Sequence, residues 1–275
     1  MRDIIRTLKA CAALFKMRVA EHLQYRAAAL ANASIGIFWG LIQITMFTVF
    51  YTYGDPSSAA LTLTQAVSYA WLVQIMLGLI GNININAELR EKITSGNVAL
   101  ELCRPLDLYS HWFARVAASR VGLFPVRAAI TLLVALILPA AWGLSAPYSV
   151  IGFALFLLSV SSAFLLCVAF TMLLTVVRLG VTWGEGPTNA LAMLGGVLSG
   201  AFLPLVLWPD FLQRFLMFQP FAGLLDTPFR LYVGAIPPGD ALGAIALQLS
   251  WAAAITVLGK ALMRCRVSRL IVQGG

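Results

Sequence analysis

The sequence predicts an all-α integral membrane protein with six transmembrane helices. Three observations carry that expectation. Hydrophobic residues make up 60% of the 275 positions and charged residues only 11%, where a soluble domain carries about 25% charge. Uncharged stretches long enough to cross a bilayer, which takes ~20 apolar residues, recur along the chain. The net charge of +8 comes from lysines and arginines that flank those stretches. They mark membrane orientation before they mark a nucleic-acid partner, and none is expected.

The first element, over residues 1–25, is an amphipathic helix. Ile4, Ile5, Leu8, Ala12, Phe15, Val19 and Leu23 recur at helical spacing, among Arg2, Arg6, Lys9, Lys16 and Arg18. Charges run throughout, so the segment is no cleavable signal. It reads as lying in the membrane interface, in contact with lipid, or packed on the protein's own inner side.

Spans follow at 27–53, 64–87, 112–139, 147–177, 187–208 and 240–262. The first two come from charge-free runs at 27–54 and 56–87, parted by "GDPSS". The run at 128–177 is broken by Pro139, Gly143 and Pro147 and holds parts of two spans. Runs at 186–209 and 241–259 supply the last two. Between them, 209–238 is apolar but interrupted by Arg214 and Pro220. It is expected to be a re-entrant hairpin in the outer leaflet, its backbone buried in protein or lining a wet cavity. The whole of 1–275 then forms a single transmembrane domain.

Six spans place both ends on one side. Arg2 to Arg26, Arg90, Lys92, Arg104, Arg115, Arg120, Arg178 and the cations from Lys260 to Arg269 share that side, whereas Arg214 and Arg230 lie opposite. Both termini are therefore expected in the cytoplasm.

The chemistry of the common enzyme motifs is missing. No Walker A loop, HExxH, GxSxG or EF-hand pattern occurs. Cys11, Cys103, Cys167 and Cys265 form no CxxC pair, and Cys103 with His111 is too few for a metal. No carboxylate falls inside an expected span: Asp55, Asp210, Asp226 and Asp240 lie outside, and Glu88, Glu91, Glu101, Asp107 and Glu185 lie inside. That disfavours an ion-gradient-coupled carrier, one alternative reading. A lipid-modifying membrane enzyme, the other, lacks a clustered nucleophile or acid–base pair. Candidate pathway-lining residues are Arg127, Asn82 and Asn86. Arg127 sits two turns deeper than Arg120 on one face of the third span. It either lines a cavity for an anionic group or snorkels to the interface. Asn82 and Asn86 lie at the cytoplasmic end of the second span on one face, and such residues serve helix packing more often than binding.

One stretch breaks the apolar pattern. Residues 90–109, "REKITSGNVALELCRPLDLY", hold six charged side chains in twenty positions. Asn97 or Ser95 can cap a short helix at about 98–103, which Pro105 stops. So long an insert between two spans, with leucines among charges, reads as a cytoplasmic docking surface or as a solvated loop.

Here "ITSGNVALELCRPLDLYSHWFAR" resembles the hydrophilic loop of the type-2 ATP-binding-cassette exporter permeases. The matching positions are Ile93, Gly96, Asn97, Val98, Leu102, Arg104, Pro105, Leu106 and Trp112. The resemblance implies a permease subunit of the bacterial plasma (inner) membrane. Two separate ATPase subunits would bind ATP and Mg, with no cofactor in this chain. A second permease, of the same or a different six-span sequence, would complete the membrane domain. The insert would be the coupling helix, its candidate residues being Arg90, Glu91, Lys92, Gly96, Asn97, Val98, Glu101, Leu102, Arg104 and Pro105. The N-terminal helix would be the connecting helix beside it. The first, second and fifth spans would form the pathway for an exported amphiphilic or hydrophobic substrate: drug, lipid, peptide or glycolipid.

Overall fold

The computed structural model describes residues 26–54, 60–102, 107–179 and 186–268, with a few isolated residues before 26. The helix expected over 1–25, the turn at 55–59, and Cys103, Arg104, Pro105 and Leu106 thus lie wholly or mostly outside the described residues. Among those described, every regular element is helical. Five segments are long and apolar enough to cross a membrane: Leu30–Tyr53, Leu63–Gly81, Leu108–Ile137, Val150–Leu179 and Pro238–Val267.

Helix α1 (Arg26–Tyr53) buries Ala33, Gly36, Gly40, Gln43, Ile44 and Phe47. Their three- and four-residue spacing makes one stripe, which packs on α2 (Leu63–Met76) and α5 (Leu108–Ile137). Gly40 lets α1 approach Trp71 and Gln74 closely, since a Cβ there would lie 3.2 Å from the Gln74 side chain. The opposite face of α1 exposes Ile35, Phe38, Trp39, Ile42 and Met46, apolar as a surface in hydrocarbon or against another chain must be. Helix α2 starts on a reciprocal capping box: Thr62 accepts from the Gln65 N–H, and the Gln65 side chain accepts from the Thr62 N–H. A second body forms where α6 (Val150–Leu179) lies along α10 (Pro238–Val267). Its core joins Phe156, Leu166, Phe170, Leu224, Leu225, Phe229, Ile245 and Ile255 with Tyr69 and Val73 of α2.

The second span departs from expectation at its end. After α2 the chain widens into a π-turn, Leu77–Gly81, and 82–86 is extended. Asn82 and Asn86 therefore do not share a helical face. The asparagines explain why. Asn82 Oδ1 accepts the Asn84 N–H at 3.0 Å, and Asn86 Oδ1 accepts the Glu88 and Leu89 N–H groups. Such local bonds compete with the helical ladder. The pattern was in the sequence: "NININ" alternates polar and apolar at period two, and Ile83 and Ile85 are buried while Asn82 and Asn84 are exposed.

The fifth expected span, 187–208, is not one helix. Helix α7 (Gly186–Leu198) has 13 residues, or about 20 Å at 1.5 Å per residue, too short to cross alone. It ends where Gly200 takes φ +85°. Only glycine fits there: a Cβ would meet the Tyr69 hydroxyl at 2.4 Å. A single 3-10 turn (Leu205–Leu207), helix α8 (Asp210–Phe218), a second 3-10 turn (Pro220–Gly223) and helix α9 (Asp226–Tyr232) then lead to α10. The turn at Pro220–Gly223 packs deep: a Cβ on Gly223 would lie 2.9 Å from Leu166 and 3.1 Å from Gln248.

Candidate functional site

The insert folds into an elbow of two helices, α3 (Ala87–Thr94) and α4 (Val98–Leu102). Asn86 caps α3, and its side-chain amide also donates to Ser119 on α5 at 3.1 Å. It is thereby committed to holding the elbow to α5. Gly96, at φ +74°, makes the bend between the helices. Asn97 accepts from the Leu100 N–H through its backbone carbonyl. Asp107 caps α5, its carboxylate accepting the Ser110 N–H at 2.9 Å, so α5 begins at Leu108 rather than at 112.

Two kinds of contact fix the elbow. Leu89 and Val98 are buried in a cluster with Trp112, Val116, Met172, Val176 and Met263, drawn from α5, α6 and α10. Beside it lies an ionic centre. The Glu101 carboxylate, 5% exposed, pairs with Lys92, accepts the Trp112 indole N–H, and lies 3.3 Å from Arg115. Arg115 in turn holds Glu88 at 2.9 Å and meets His111 at 3.1 Å. Glu101 therefore points inward. The sequence placed it among residues of a docking surface, and only its distance of eleven from Trp112 hinted at a tie between α4 and α5. By contrast Glu91 is exposed, as are Leu100 at 69% and Leu102 at 39%. Arg90 and Lys92 are partly buried.

Burial raises the Glu101 carboxyl. The hydrogen bonds from Lys92 and Trp112 and the charges of Arg115 and Lys92 outweigh it and hold the group below the ordinary carboxylate range. A carboxyl lowered on folding adds stability above its unfolded value and loses it as pH falls through its folded value. Hydrogen-exchange protection factors across 87–102 are thus expected to hold from pH 7 to about 5 and to fall as pH drops through the ordinary carboxylate range and below it. Loosening between pH 7 and 5 would contradict this.

The broken end of α7 is the second polar assembly. The chain beyond α7 leaves the carbonyls of 198–202 without helical partners, and four side-chain bonds and one backbone N–H take them. Gln219 Nε2 donates to Leu198 O at 2.8 Å and Tyr69 Oη to Gly200 O at 3.1 Å. Gln43 Nε2 donates to Ala201 O and Phe202 O at 3.0 and 2.9 Å. The Ser199 carbonyl accepts the Asp226 N–H at 3.1 Å. Asp226 also accepts the Leu205 N–H at 2.9 Å and the Tyr69 hydroxyl at 3.3 Å, with Arg230 3.5 Å away. Asp226 is 1% exposed. It reads in sequence as an outer-loop carboxylate and is instead a buried bond-bearing centre. Gln43, Tyr69 and Gln219 gave no sequence signal, because a lone polar residue in an apolar run does not say which backbone it serves.

Arg127 lies two turns beyond Arg120 on α5, yet the two reach different neighbours. Arg120 donates to Thr171 Oγ1 on α6 at 2.6 Å. Arg127 donates to the Gln74 carbonyl on α2 at 3.2 Å. Its guanidinium rests where two glycines leave room, since a Cβ would lie 3.3 Å from it at Gly36 and 3.4 Å at Gly78. Among the described residues no carboxylate pairs with it. The described residues also contain no group of three or more metal-capable side chains.

A family model described as ABC-2 family transporter protein matches residues 37–274. No curated protein and no solved structure matched the chain. The family match spans most of the sequence and agrees with its all-helical fold of long apolar segments. The chain belongs to the ABC-2 family of transporter proteins and is a multi-pass membrane permease.

Proposed function

We propose that this permease is the membrane subunit of an ATP-driven exporter, and that the elbow α3–α4 is its handle for a separate ATPase subunit. The observation that carries the reading is the elbow's two-sided construction. One side is locked to α5 and α6 through Glu101, Leu89 and Val98, while the other leaves Leu100 and Leu102 exposed. Apolar tips on a rigid, polar element suit a protein groove. A chain without a Walker loop needs its energy from a partner, which would hold ATP and Mg.

In this reading the elbow and both termini face the cytoplasm of a bacterial inner membrane, as the distribution of cations supports. Helix α7 and the segment behind it cross the bilayer together as a broken span. The turn at Pro220–Gly223 is re-entrant, supported by its seat on Leu166 and Gln248. Broken backbone is tolerated at that depth only with its polar groups satisfied, as the side chains around 198–202 do. A second permease covers the exposed apolar face of α1. Arg127 lines the route beside α1 and α2, where a cation favours a substrate with an anionic or strongly polar end. Closure of the ATPase dimer on ATP would move the elbow, and α5 and α6 with it.

Leu100→Asp tests the handle without disturbing the fold, because that side chain is already exposed. In proteoliposomes with the co-expressed ATPase, half-maximal stimulation should need about 30-fold more ATPase subunit. That is the loss of one hot-spot anchor of ~2 kcal/mol. Stimulation unchanged by the substitution would overturn the assignment.

A further inference from the structure

We infer that a cavity beside the elbow is a binding site for an anionic phospholipid of the leaflet that the elbow faces. The cavity, about 460 Å³, lies between the start of α5 and the end of α10. Its apolar wall is Leu102, Met263 and Val267, and its cations are Lys260 and Arg264. These stand one helical turn apart on α10 and so point to one side.

Depth identifies the ligand. The uncharged run of α10, 241–259, has 19 residues, about 28 Å of helix, which matches the hydrocarbon thickness of a bilayer. Lys260 is the first charge beyond it, at the level of lipid phosphates, and Arg264 lies about 6 Å further out. Basic pockets at that level between transmembrane helices suit anionic headgroups. Among the described residues no carboxylate comes within ion-pair distance of either cation. Asp107 also lines the cavity, but its carboxylate is engaged by the Ser110 N–H and hydroxyl. Lys260 is steadied over the Tyr109 ring at 5.7 Å from its centre. Gly259 makes that seat possible, since a Cβ there would lie 3.0 Å from the Tyr109 hydroxyl. Leu102 belongs to the elbow and lines the cavity, so a headgroup held by Lys260 and Arg264 also touches α4. Among the described residues, none of α1 or α2 lines the cavity, whereas Arg127 bonds to α2. It is therefore a regulatory site rather than part of the route. Binding is a property of the isolated chain and stands or falls apart from the ATPase reading.

The test titrates the detergent-purified full chain with phosphatidylglycerol, phosphatidylcholine or glycerol 3-phosphate, read by native mass spectrometry. Saturable binding of phosphatidylglycerol at least tenfold tighter than phosphatidylcholine is expected. Lys260→Gln with Arg264→Gln should weaken it about 25-fold, at roughly fivefold per cation. The charge-preserving exchange Lys260→Arg with Arg264→Lys should retain it and guards against a folding artefact. Equal binding of the two lipids, or an unaffected glutamine variant, would overturn the proposal. So would glycerol 3-phosphate binding as tightly as the lipid, which would make the ligand a soluble phosphate ester.

Discussion

Glu101→Gln is expected to release the elbow from α5 while leaving the membrane helices assembled. The glutamine keeps the volume but removes the charge that Lys92 and Arg115 share. Arg115 is 4% exposed, so its guanidinium loses one of its two carboxylates where water cannot replace it. Breaking a buried pair from one side costs about 3–5 kcal/mol. The elbow is short, and its other anchors include Leu89 and Val98 in the apolar cluster, Asn86 on Ser119 and Glu88 on Arg115, all nearer its start except Val98. Hydrogen-exchange protection across 87–102 should fall roughly 100-fold or more, since each 1.4 kcal/mol is a factor of ten. Stimulation of the ATPase should fall with it, while protection in α6 and α10 stays. Replacing both partners, Glu101→Leu with Arg115→Met, should recover part of the protection, because an apolar pair leaves no buried charge unmatched at that contact. Unchanged protection in Glu101→Gln would show that the ionic centre does not hold the elbow.

Asp226→Ala should have a comparable effect on the opposite assembly. It removes the acceptor for the Leu205 N–H and the Tyr69 hydroxyl and leaves Arg230 unpaired at its 3.5 Å contact. The Leu205 N–H is buried and would be left unmatched at about 1–3 kcal/mol, while the Tyr69 hydroxyl keeps only the Gly200 carbonyl. The break after α7 then loses its brace, and the midpoint of thermal unfolding in detergent should drop clearly. Asp226→Asn keeps one carbonyl acceptor, so its midpoint should lie between alanine and wild type. An unchanged midpoint in the alanine variant would mean that Asp226 does not support the broken helix.

The fold class was legible because a bilayer imposes a crude rule. Charge-free length is enough to see the long helices α1, α6 and α10 and the last third of α5, whose earlier part carries Arg115, Arg120 and Arg127. The same rule fails at α7, since the run 186–209 is uncharged whether or not it is helical. Gly200 was visible, but its need for positive φ comes from Tyr69, 131 residues away. The π-turn and extended stretch after α2 escaped for a different reason: the period-two alternation at 82–86 was outweighed by hydropathy. In the elbow, the bend at Gly96 and the start of α4 at Val98 could be read from local residue types. The inward turn of Glu101 could not, because its partners Arg115 and Trp112 come from another helix. Charge alone marks a residue as polar; packing decides whether it faces a partner or its own chain.

In the proposed function the elbow's exposed tip meets an ATPase. Site-specific photo-crosslinking from position 100 in native membranes tests it most directly, with position 211 as control. Phe211 is also exposed, at 81%, but lies on α8. Position 100 is expected to yield an adduct with a Walker-motif ATPase, and position 211 none. Adducts of position 100 with lipid alone, or the same ATPase captured equally from position 211, would contradict it.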